Sequence, residues 1–464
     1  MRARNDQVGS ARASICTMNR CVLIVTPFFA PQNHAAVFRA YKLAQYLPQY
    51  GWKPIVLTVD TQYEYNEDPE LLTRLPAEVE IVKARYIEPT FRGVRMALGG
   101  RNRTFLAMKV APPSGPDGKI ISQSPLHTSL LLRTYNYLLS HYVQVPDAFW
   151  TWASAAIVVG KKLLSDRNIP LVFTTASPYS SLAIGRSLQR AGAKWVCDFR
   201  DPLTYTQRLS SEVSRVYHRQ RNMVRSALEN ADAVTVLSSC YGSIYSDMFG
   251  SCGANTVFIP TGIDTELLEE SAGAEGHRPY LIFTGEFLPD YDDTFFEAFA
   301  AALGRTSVKR IGLKLLVVGT LQLNRTRLMP LVERLGLNEH IEFWDQMPQR
   351  EVYRLVSRAR AGVLLPGSRA YWWTSFAKMA DFIGMRKPVV AVVPDPSEAR
   401  SALTRSRLGV FLDGSAAECA DKLTQFVLGE YRLPSPNESE CDRYTVRQQV
   451  RSFAGVFDRV SSSL

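Results

Sequence analysis

The sequence predicts an α/β fold built from doubly wound parallel sheets. Two observations lead to this fold class. Short apolar segments alternate with helix-like patterns almost throughout the chain, as they do in βαβ units. Most of these segments are continuous runs of Val, Ile and Leu, which are typical of strands buried on both faces of a sheet. With 464 residues, the chain has room for two or three domains at roughly 100–200 residues each.

The predicted strands fall into two groups. The first group contains Cys21–Thr26, Pro54–Val59, Val79–Ala84, Pro170–Thr174, Ala193–Asp198, Asp232–Leu237 and Asn255–Pro260. The second group contains Tyr280–Thr284, Leu313–Val318, Ile341–Trp344, Ala361–Pro366, Pro388–Val393 and Gly409–Leu412. Between strands, apolar residues recur at helical spacing, for example Val37, Tyr41, Ala44 and Leu47. So many strands exceed one compact sheet, and we expect two Rossmann-like domains.

Composition sets the expected domain boundaries. Residues 264–279 are rich in Glu, Gly and Ala, and we interpret them as a linker. They separate an N-terminal domain, residues 18–264, from a C-terminal domain, residues 279–445. Residues 1–17 are polar and basic, which predicts a disordered tail, or a translation start at Met18 instead of Met1.

Composition and cysteine usage indicate a folded protein in a reducing compartment. Hydrophobic residues make up 46% of the chain and charged residues 21%, as in ordinary globular domains. Seven scattered cysteines without a CxxC pair disfavour a disulfide framework and a zinc site. No apolar run reaches the roughly 18–20 residues of a membrane span. The apolar segment 21–30 runs directly into a helix pattern without a cleavage site, so it is a strand and not a signal peptide. We expect a cytoplasmic protein.

Net charge raises the question of an anionic partner. The formal charge is +10, which suits a nucleic acid or an anionic membrane surface. Residues 85–128 break the strand–helix alternation with seven basic residues against two acidic ones, interleaved with apolar residues. This basic insert is either a solvated loop or a surface for anionic lipid or a lipid-linked acceptor. No nucleic-acid-binding motif accompanies it, so we expect no nucleic-acid partner.

Candidate site residues follow from the rule that open α/β sheets bind ligands beyond the carboxyl ends of their strands. His34 follows the first strand at a helix start, where it could act as a donor or as a general acid or base, or merely cap and pack. Asp198, Arg200 and Asp201 end the fifth strand. Arg200 would keep both carboxylates ionised, and the group could orient an acceptor hydroxyl or stabilise a leaving diphosphate. The alternative is a structural ion pair.

The second group of strands offers a glycine-containing turn. Gly285 would let a ligand approach the backbone closely, with Glu286 beside it and Gly319 after the next strand. The acidic run at residues 290–293 precedes a helix pattern. We interpret it as helix capping and not as a metal site, because acids favour a helix N-terminus.

A second candidate set lies around residues 375–381. Ser375 is near a helix start and could meet a phosphate together with backbone amides. Lys378 and Asp381 are three residues apart and share a helix face. A cation for a diphosphate and a carboxylate for ribose hydroxyls would form a nucleotide site. The alternative is an exposed salt bridge between the two.

In order and spacing, the chain resembles family 4-type retaining glycosyltransferases of the GT-B fold, and most of all the bacterial subgroup that builds surface polysaccharides. The matching segments are Val145-Pro146-Asp147 with Trp150 and Trp152, residues 175–180, Asp198-Phe199-Arg200-Asp201-Pro202, residues 231–234, residues 259–264, Thr284-Gly285, and Lys378-Met379-Ala380-Asp381 ahead of Lys387-Pro388. They span nearly the whole chain.

The resemblance implies a UDP- or GDP-sugar as co-substrate in the C-terminal domain. It implies a glycan or polyprenyl-linked acceptor in the N-terminal domain, front-face transfer in the cleft, and neither a metal nor a tightly bound cofactor. By position, Asp381 matches the ribose-binding glutamate, Gly285 the loop under the diphosphate, and the 198–201 segment the strand end that faces the transferred sugar. Residues 446–464 would pack back as a helix on the first domain. Contact between the basic insert, residues 85–128, and anionic lipid would place the protein at the inner face of the cell membrane.

The chain also departs from the family pattern. Residues 33–36 replace a usual pair of glycines, Glu286 and Phe287 replace a basic pair, and the earlier of two paired glutamates is lost within residues 371–375. These changes leave open a catalytically inactive GT-B protein that binds a nucleotide sugar or a partner transferase. A dinucleotide-dependent enzyme is disfavoured, because no G-x-G-x-x-G follows the first strand.

Overall fold

The computed structural model describes residues 20–61, 67–98, 134, 137–202, 215–253, 255–271, 279–287 and 291–462. Its strands are β1 Cys21–Val25, β2 Lys53–Val59, β3 Glu80–Ala84, β4 Leu171–Ala176, β5 Lys194–Phe199, β6 Ala233–Val236, β7 Thr256–Phe258, β8 Tyr280–Thr284, β9 Lys314–Val318, β10 Ile341–Trp344, β11 Ala361–Leu364, β12 Val389–Ala391 and β13 Gly409–Phe411. Each predicted strand is confirmed, with ends that shift by a few residues.

The strands form two sheets. The first has the order β3-β2-β1-β4-β5-β6-β7 and the second the order β10-β9-β8-β11-β12-β13. Every strand pair of the described residues is parallel. The expected α/β architecture of two doubly wound parallel sheets is therefore confirmed. We refer to the residues of the first sheet and its connections, up to Gly262, as the first half, and to residues 279–444 as the second half.

Helices connect the strands. In the first half the described α-helices are Ala35–Tyr46, Glu70–Thr73, Phe91–Leu98, Trp150–Arg167, Ser180–Gln189, Arg215–Asn230 and Tyr241–Phe249. Helix Thr265–Ser271 follows, and the second half contributes Thr294–Leu303, Thr306–Ile311, Leu321–Arg334, Gln349–Arg358, Ala377–Gly384, Glu398–Ser406, Ala416–Leu428 and Glu438–Asp442. Helix Val446–Ser461 ends the described chain.

Both faces of each sheet are buried, which explains the uninterrupted apolar runs. In β1, Leu23 and Val25 belong to one apolar cluster and Val22 and Ile24 to another on the opposite face. This alternation is the period-2 geometry of a strand covered on two sides. The second sheet repeats the arrangement with two further clusters.

The chain passes between the halves twice, and the two crossings run side by side. The amide of Ile263 donates to the carbonyl of Tyr444 at 2.7 Å, and the amide of Val446 donates to the carbonyl of Ile263 at 2.8 Å. After the second crossing, helix Val446–Ser461 packs on the first sheet. There Phe453 lies 5.4 Å from Phe173 between ring centres. The last helix thus covers the half in which the chain began.

Two segments outside the strand–helix alternation contain a short helix. Part of the expected linker, residues 264–279, is helix Thr265–Ser271. Asp264 favours this helix because its Oδ1 accepts the amide of Glu266 at 3.2 Å. The basic insert likewise contains helix Phe91–Leu98. The tail at 1–17 and the rest of the insert, residues 99–128, lie outside the described residues.

Two general features bear on the setting of the protein. Searched over its described ranges, the chain has no helix both long and apolar enough to traverse a lipid bilayer. Cys21, Cys197, Cys240, Cys252, Cys419 and Cys441 are free thiols.

Candidate functional site

The carboxyl ends of β1, β4 and β5 meet around Arg200, the residue that follows β5. Arg200 Nη1 donates to the carbonyl of Ala36 at 3.0 Å, and Nη2 donates to the carbonyl of Ser177. The guanidinium lies 6.0 Å from the ring centre of Phe28. Burial lowers the pKa of Arg200, and the charge of Asp201 opposes that shift. Arg200 thus holds three strand-end segments together and places a positive charge among them.

Asp198 lies apart from this cluster. Because β5 continues to Phe199, the Asp198 side chain is inside the sheet and 0% exposed. Its carboxylate accepts two hydrogen bonds from Arg39, at 2.8 and 2.7 Å. The hydroxyls of Thr175 and Thr235 donate to it at 3.0 and 2.7 Å. The counter-ion is therefore Arg39 and not Arg200 as expected, and this interior position favours the structural ion pair over contact with a substrate.

Asp201 and His34 stand nearer the surface of the same sheet edge. Asp201 is exposed, and His34 is partly buried where helix Ala35–Tyr46 begins. His34 Nε2 lies 3.0 Å from Oε1 of Gln32, and its ring meets that of Phe28 edge-on at 5.0 Å. The His34 side chain therefore packs without capping the helix. A role in acid–base chemistry stays a prediction for His34, as does acceptor binding for Asp201.

A long-range cap organises the neighbouring strand end. Helix Ser180–Gln189 follows β4, and its first amide donates to the carboxylate of Asp147 at 2.8 Å. The hydroxyl of Ser180 donates to the same carboxylate at 2.7 Å. Asp147, which lies 33 residues earlier in the chain, thus satisfies this helix start. Burial raises the pKa of Asp147, and the bonds from Ser180 oppose that shift.

In the second half, Gly285 and Gly319 follow the neighbouring strands β8 and β9 and lie against each other. Gly285 has a φ of +95°, in the region that favours glycine. A Cβ on Gly319 would lie 2.2 Å from the carbonyl oxygen of Gly285, so no larger residue fits there. The buried side chain of Asn324 donates to that carbonyl at 2.9 Å and accepts the amide of Phe287 at 2.8 Å. Asn324, which the sequence pattern did not reveal, holds the turn in place.

Lys378 reaches this turn from helix Ala377–Gly384. Its Nζ lies 3.7 Å from the ring centre of Phe283. A Cβ on Gly285 would lie 3.5 Å from the same Nζ atom. Burial lowers the pKa of Lys378 to about 7, and the charge of Glu286 opposes that shift. Within the described ranges no ion pair involves Lys378, so the alternative of a salt bridge to Asp381 is not realised. The amine is held beside a backbone turn and is a cation below pH 7.

Asp381 points toward a different set of groups. Tyr353 donates its hydroxyl to Asp381 Oδ1 at 3.3 Å. Burial raises the pKa of Asp381 to about 6, and the charge of Lys42 opposes that shift. Lys42 belongs to helix Ala35–Tyr46 of the first half and also donates to the carbonyl of Gly262 at 3.4 Å. Asp381 therefore lies where the two halves approach each other.

The remaining predicted positions are less constrained. Ser375 is partly buried and precedes the helix whose N-cap is Phe376. Glu286 is exposed, and its Oε1 accepts the hydroxyl of Thr320 at 3.0 Å. In the acidic run, Asp292 accepts the amide of Thr294 at 2.7 Å, at the start of helix Thr294–Leu303. This contact supports the interpretation of that run as a helix start. No group of three or more metal-ligating side chains is found among the described residues.

Comparison with known proteins identifies the fold. The sequence matches no protein-family profile, and no curated protein matches it significantly. Solved structures do match over nearly the whole chain. A glycosyltransferase from Rickettsia africae aligns at a TM-score of 0.56 and 12% identity, covering 96% of this chain and 99% of that one. The chain has the GT-B fold.

Two further structures agree with this fold. A UDP-forming α,α-trehalose-phosphate synthase from Burkholderia vietnamiensis aligns at a TM-score of 0.56 and 11% identity, covering 96% of this chain and 100% of that one. A sucrose-phosphate synthase from Thermosynechococcus elongatus aligns at 0.53 and 14% identity, covering 96% and 97%. At such identities the likeness concerns architecture, and the chemistry must be argued from the site residues.

Proposed function

We propose that this chain is a glycosyltransferase that takes its donor sugar from a UDP- or GDP-sugar. The observation that carries the proposal is the position of Lys378. Its amine has no acidic ion-pair partner among the described residues and lies beside the Gly285 turn at the carboxyl end of the second sheet. Ligands of open α/β sheets bind at this edge. The matching solved structures, which include a glycosyltransferase and a UDP-forming synthase, support the same reading.

The second half would bind the donor. The diphosphate gains negative charge as the sugar leaves, and cations and amides fixed in advance stabilise that charge. Lys378, the backbone around Gly285 and the amides at the Ser375 helix start are the groups in position to do so. Asp381 would accept the ribose hydroxyls, and its carboxylate is partly engaged by Tyr353. We propose front-face transfer with retained configuration and no metal at this site.

The first half would bind the acceptor. Arg200 and Asp201 lie at the carboxyl end of β5 and present opposite charges there. They are suited to orient a hydroxyl of a glycan or polyprenyl-linked acceptor. Closure of the two halves would exclude water and limit hydrolysis of the donor. Surface polysaccharide synthesis is the role we propose for such a reaction.

We also propose that the protein works at the inner face of the cell membrane. In the described start of the basic insert, Phe91 is 78% and Val94 47% exposed on helix Phe91–Leu98, where Arg95 is exposed as well. Apolar and basic side chains on one short helix suit the surface of an anionic bilayer. Flotation with anionic vesicles tests this. Binding should be lost when Arg92, Arg95, Arg101 and Arg103 are neutralised together, and binding that survives contradicts the proposal.

A turnover assay tests the central reaction. UDP- and GDP-sugars are supplied in turn with a mixture of lipid-linked and free glycan acceptors, and nucleotide release and sugar incorporation are measured together. We expect one donor to give acceptor-dependent release that Lys378→Ala abolishes. Lys314→Ala is the matched control, because Lys314 is exposed and paired with Glu342 at the opposite end of the same sheet. If neither the wild type nor Lys314→Ala releases nucleotide with any donor, the proposal is contradicted.

The burial of Asp198 favours a second candidate, a GT-B protein that binds a nucleotide sugar without transferring it. One carboxylate expected at the reaction centre is instead enclosed by Arg39 and two threonine hydroxyls. Saturable binding of a nucleotide sugar, with no turnover across the acceptor mixture, would select this candidate over the transferase.

A further inference from the structure

Glu398 belongs to the second half, but its side chain accepts hydrogen bonds from residues of the first half. It begins helix Glu398–Ser406 and is 0% exposed. Its Oε2 accepts the amide of Ser239 at 2.9 Å, the hydroxyl of Ser239 at 2.5 Å and the hydroxyl of Ser238 at 3.1 Å. Both serines follow β6, so this carboxylate joins the strand-end loops of the two sheets. Among the described residues, its other oxygen has a single partner, Arg405, in a long ion pair of 3.9 Å.

Trp373 also belongs to the second half and contacts the first, in this case through an apolar side chain. The residue comes from the segment before helix Ala377–Gly384, but it is 7% exposed inside an apolar cluster of the first half. Its ring centre lies 6.2 Å from that of Tyr241. The amide of Glu398 donates to the carbonyl of Trp372 at 2.7 Å, which fixes the tryptophan segment and the glutamate relative to each other. The two contacts therefore form one unit.

This unit is connected to the strand end that carries Arg200. Tyr241 begins helix Tyr241–Phe249 directly after the Ser238–Cys240 loop, and its hydroxyl donates to the carbonyl of Arg200 at 2.8 Å. A carboxylate is costly to bury unless it is hydrogen-bonded. Separation of the halves would remove these bonds from Glu398 and expose the Trp373 ring. The loop Ser238–Tyr241 would then lose the partners that order it.

We propose that Glu398 and Trp373 form a latch that closes the two halves and orders the Ser238–Tyr241 loop, so that nucleotide-sugar binding in the second half positions Arg200 in the first. Glu398 acts in this scheme as a positioning residue and does not touch a substrate. The coupling to nucleotide sugar rests on the proposed function, whereas the latch itself does not.

Hydrogen exchange in the free protein tests the latch. In Glu398→Ala, amides of the 236–241 segment should exchange at least about tenfold faster than in the wild type, because a bond to a charged acceptor is lost. Glu440→Ala is the matched control. Glu440 is also a buried carboxylate. It is bonded by Arg405 at 2.9 Å and by Arg443 at 3.1 Å, and both of these partners belong to the second half. Unchanged exchange at 236–241, or an equal rise in the control, overturns the latch.

A second variant protects the test against a general loss of structure. If Glu398→Ala exchanges fast throughout both sheets, Glu398→Gln is used, since it keeps an acceptor oxygen without the charge. Its 236–241 segment should exchange at a rate between those of the wild type and the alanine variant, while β1 and β8 stay protected. Protection of the loop equal to the wild type in Glu398→Gln overturns the role of the carboxylate.

The coupling has its own measurement. UDP-glucose and GDP-mannose, the probes, are added at saturation, and exchange at 236–241 is compared with and without ligand. We expect the bound ligand to slow exchange at least about threefold in the wild type and to have no effect in Glu398→Ala, since it can shift the equilibrium only through a closed state it prefers. Binding without such protection overturns the coupling alone. Absence of binding contradicts the proposed function and the coupling. The latch is then judged by hydrogen exchange in the free protein alone.

Discussion

Arg39 and Asp198 form a two-pronged ion pair in the interior of the first sheet. Arg39 Nε lies 2.8 Å from Oδ2 of Asp198, and Nη2 lies 2.7 Å from Oδ1. The same guanidinium donates to the carbonyl of Ile259 at 3.0 Å, after β7. The pair therefore connects helix Ala35–Tyr46 with β5 and with the segment that leads to the second half. Loss of either charge would leave the other buried without compensation.

Asp198→Asn should therefore destabilise the fold. The substitution leaves Arg39 as an unpaired buried cation, and we expect the free energy of unfolding to fall by about 3–5 kcal/mol. Denaturant titration followed by circular dichroism measures the change. Asp247→Asn, at an exposed position of helix Tyr241–Phe249, is the control and should change stability by less than about 0.5 kcal/mol. Equal stability of the two variants would disprove the structural role of Asp198.

Asp201→Asn should instead impair turnover. If Asp201 orients the acceptor hydroxyl, loss of its charge should lower kcat on the order of 10²-fold while donor affinity is retained. Initial rates at saturating donor, together with binding of the nucleotide alone, separate the two effects. A variant with wild-type kcat would remove Asp201 from the site.

Donor affinity should fall as the pH rises above 7. Burial lowers the pKa of Lys378 to about 7, so its charged form, which a diphosphate requires, is lost as the pH passes through that value. Between pH 7 and 8.5 the affinity for a UDP- or GDP-sugar should drop by about 16-fold, in proportion to the protonated fraction. Starting at pH 7 keeps Asp381 ionised, since burial raises its pKa only to about 6.

Lys378→Arg is the matched variant for this pH dependence. Arginine stays charged over the whole range, so the affinity of the variant should be nearly independent of pH. Calorimetric titrations at four pH values in one buffer system measure both proteins. The same pH slope in Lys378→Arg would show that another group causes it.

Lys378→Met should stabilise the fold while it removes donor binding. A pKa held below its ordinary value means that the folded protein disfavours the charged amine, at a cost that is present near pH 7 and fades as the pH rises toward the unfolded value. Removing the charge should raise the free energy of unfolding by about 1 kcal/mol at pH 7. Binding sites commonly show such a gain of stability at the expense of function. Thermal unfolding at pH 7 and pH 10 measures the difference. Destabilisation at pH 7 would contradict the assigned burial of the charge.

The fold was predictable because its strands are buried on both faces. Covered strands such as β1 and β4 leave continuous apolar runs in the sequence, and such runs need no knowledge of distant partners. The turn at Gly285 was also visible, since glycine after a strand marks a close backbone approach. Local chemistry was sufficient for these features.

Features that depend on distant partners were not predictable. Asp198 looked like a strand-end acid, but β5 continues past it and its partner Arg39 lies 159 residues away. Asp147 caps a helix 33 residues further on, and Glu398 bonds loop residues some 159 positions earlier. No periodicity records such pairs, because they are set by how the layers and halves pack. Sequence patterns therefore indicate which residues lie at the strand ends better than they indicate what those residues contact.

The central claim is that the second half binds a nucleotide sugar around Gly285 and Lys378, and calorimetric titration tests it most directly. UDP- and GDP-sugars are titrated at pH 7 into the wild type, Lys378→Ala and the control Lys314→Ala. The account predicts saturable binding of at least one donor by the wild type and the control, with affinity reduced at least about tenfold in Lys378→Ala through loss of a charged hydrogen bond. Absence of binding to any donor, or equal affinity in all three proteins, would contradict it.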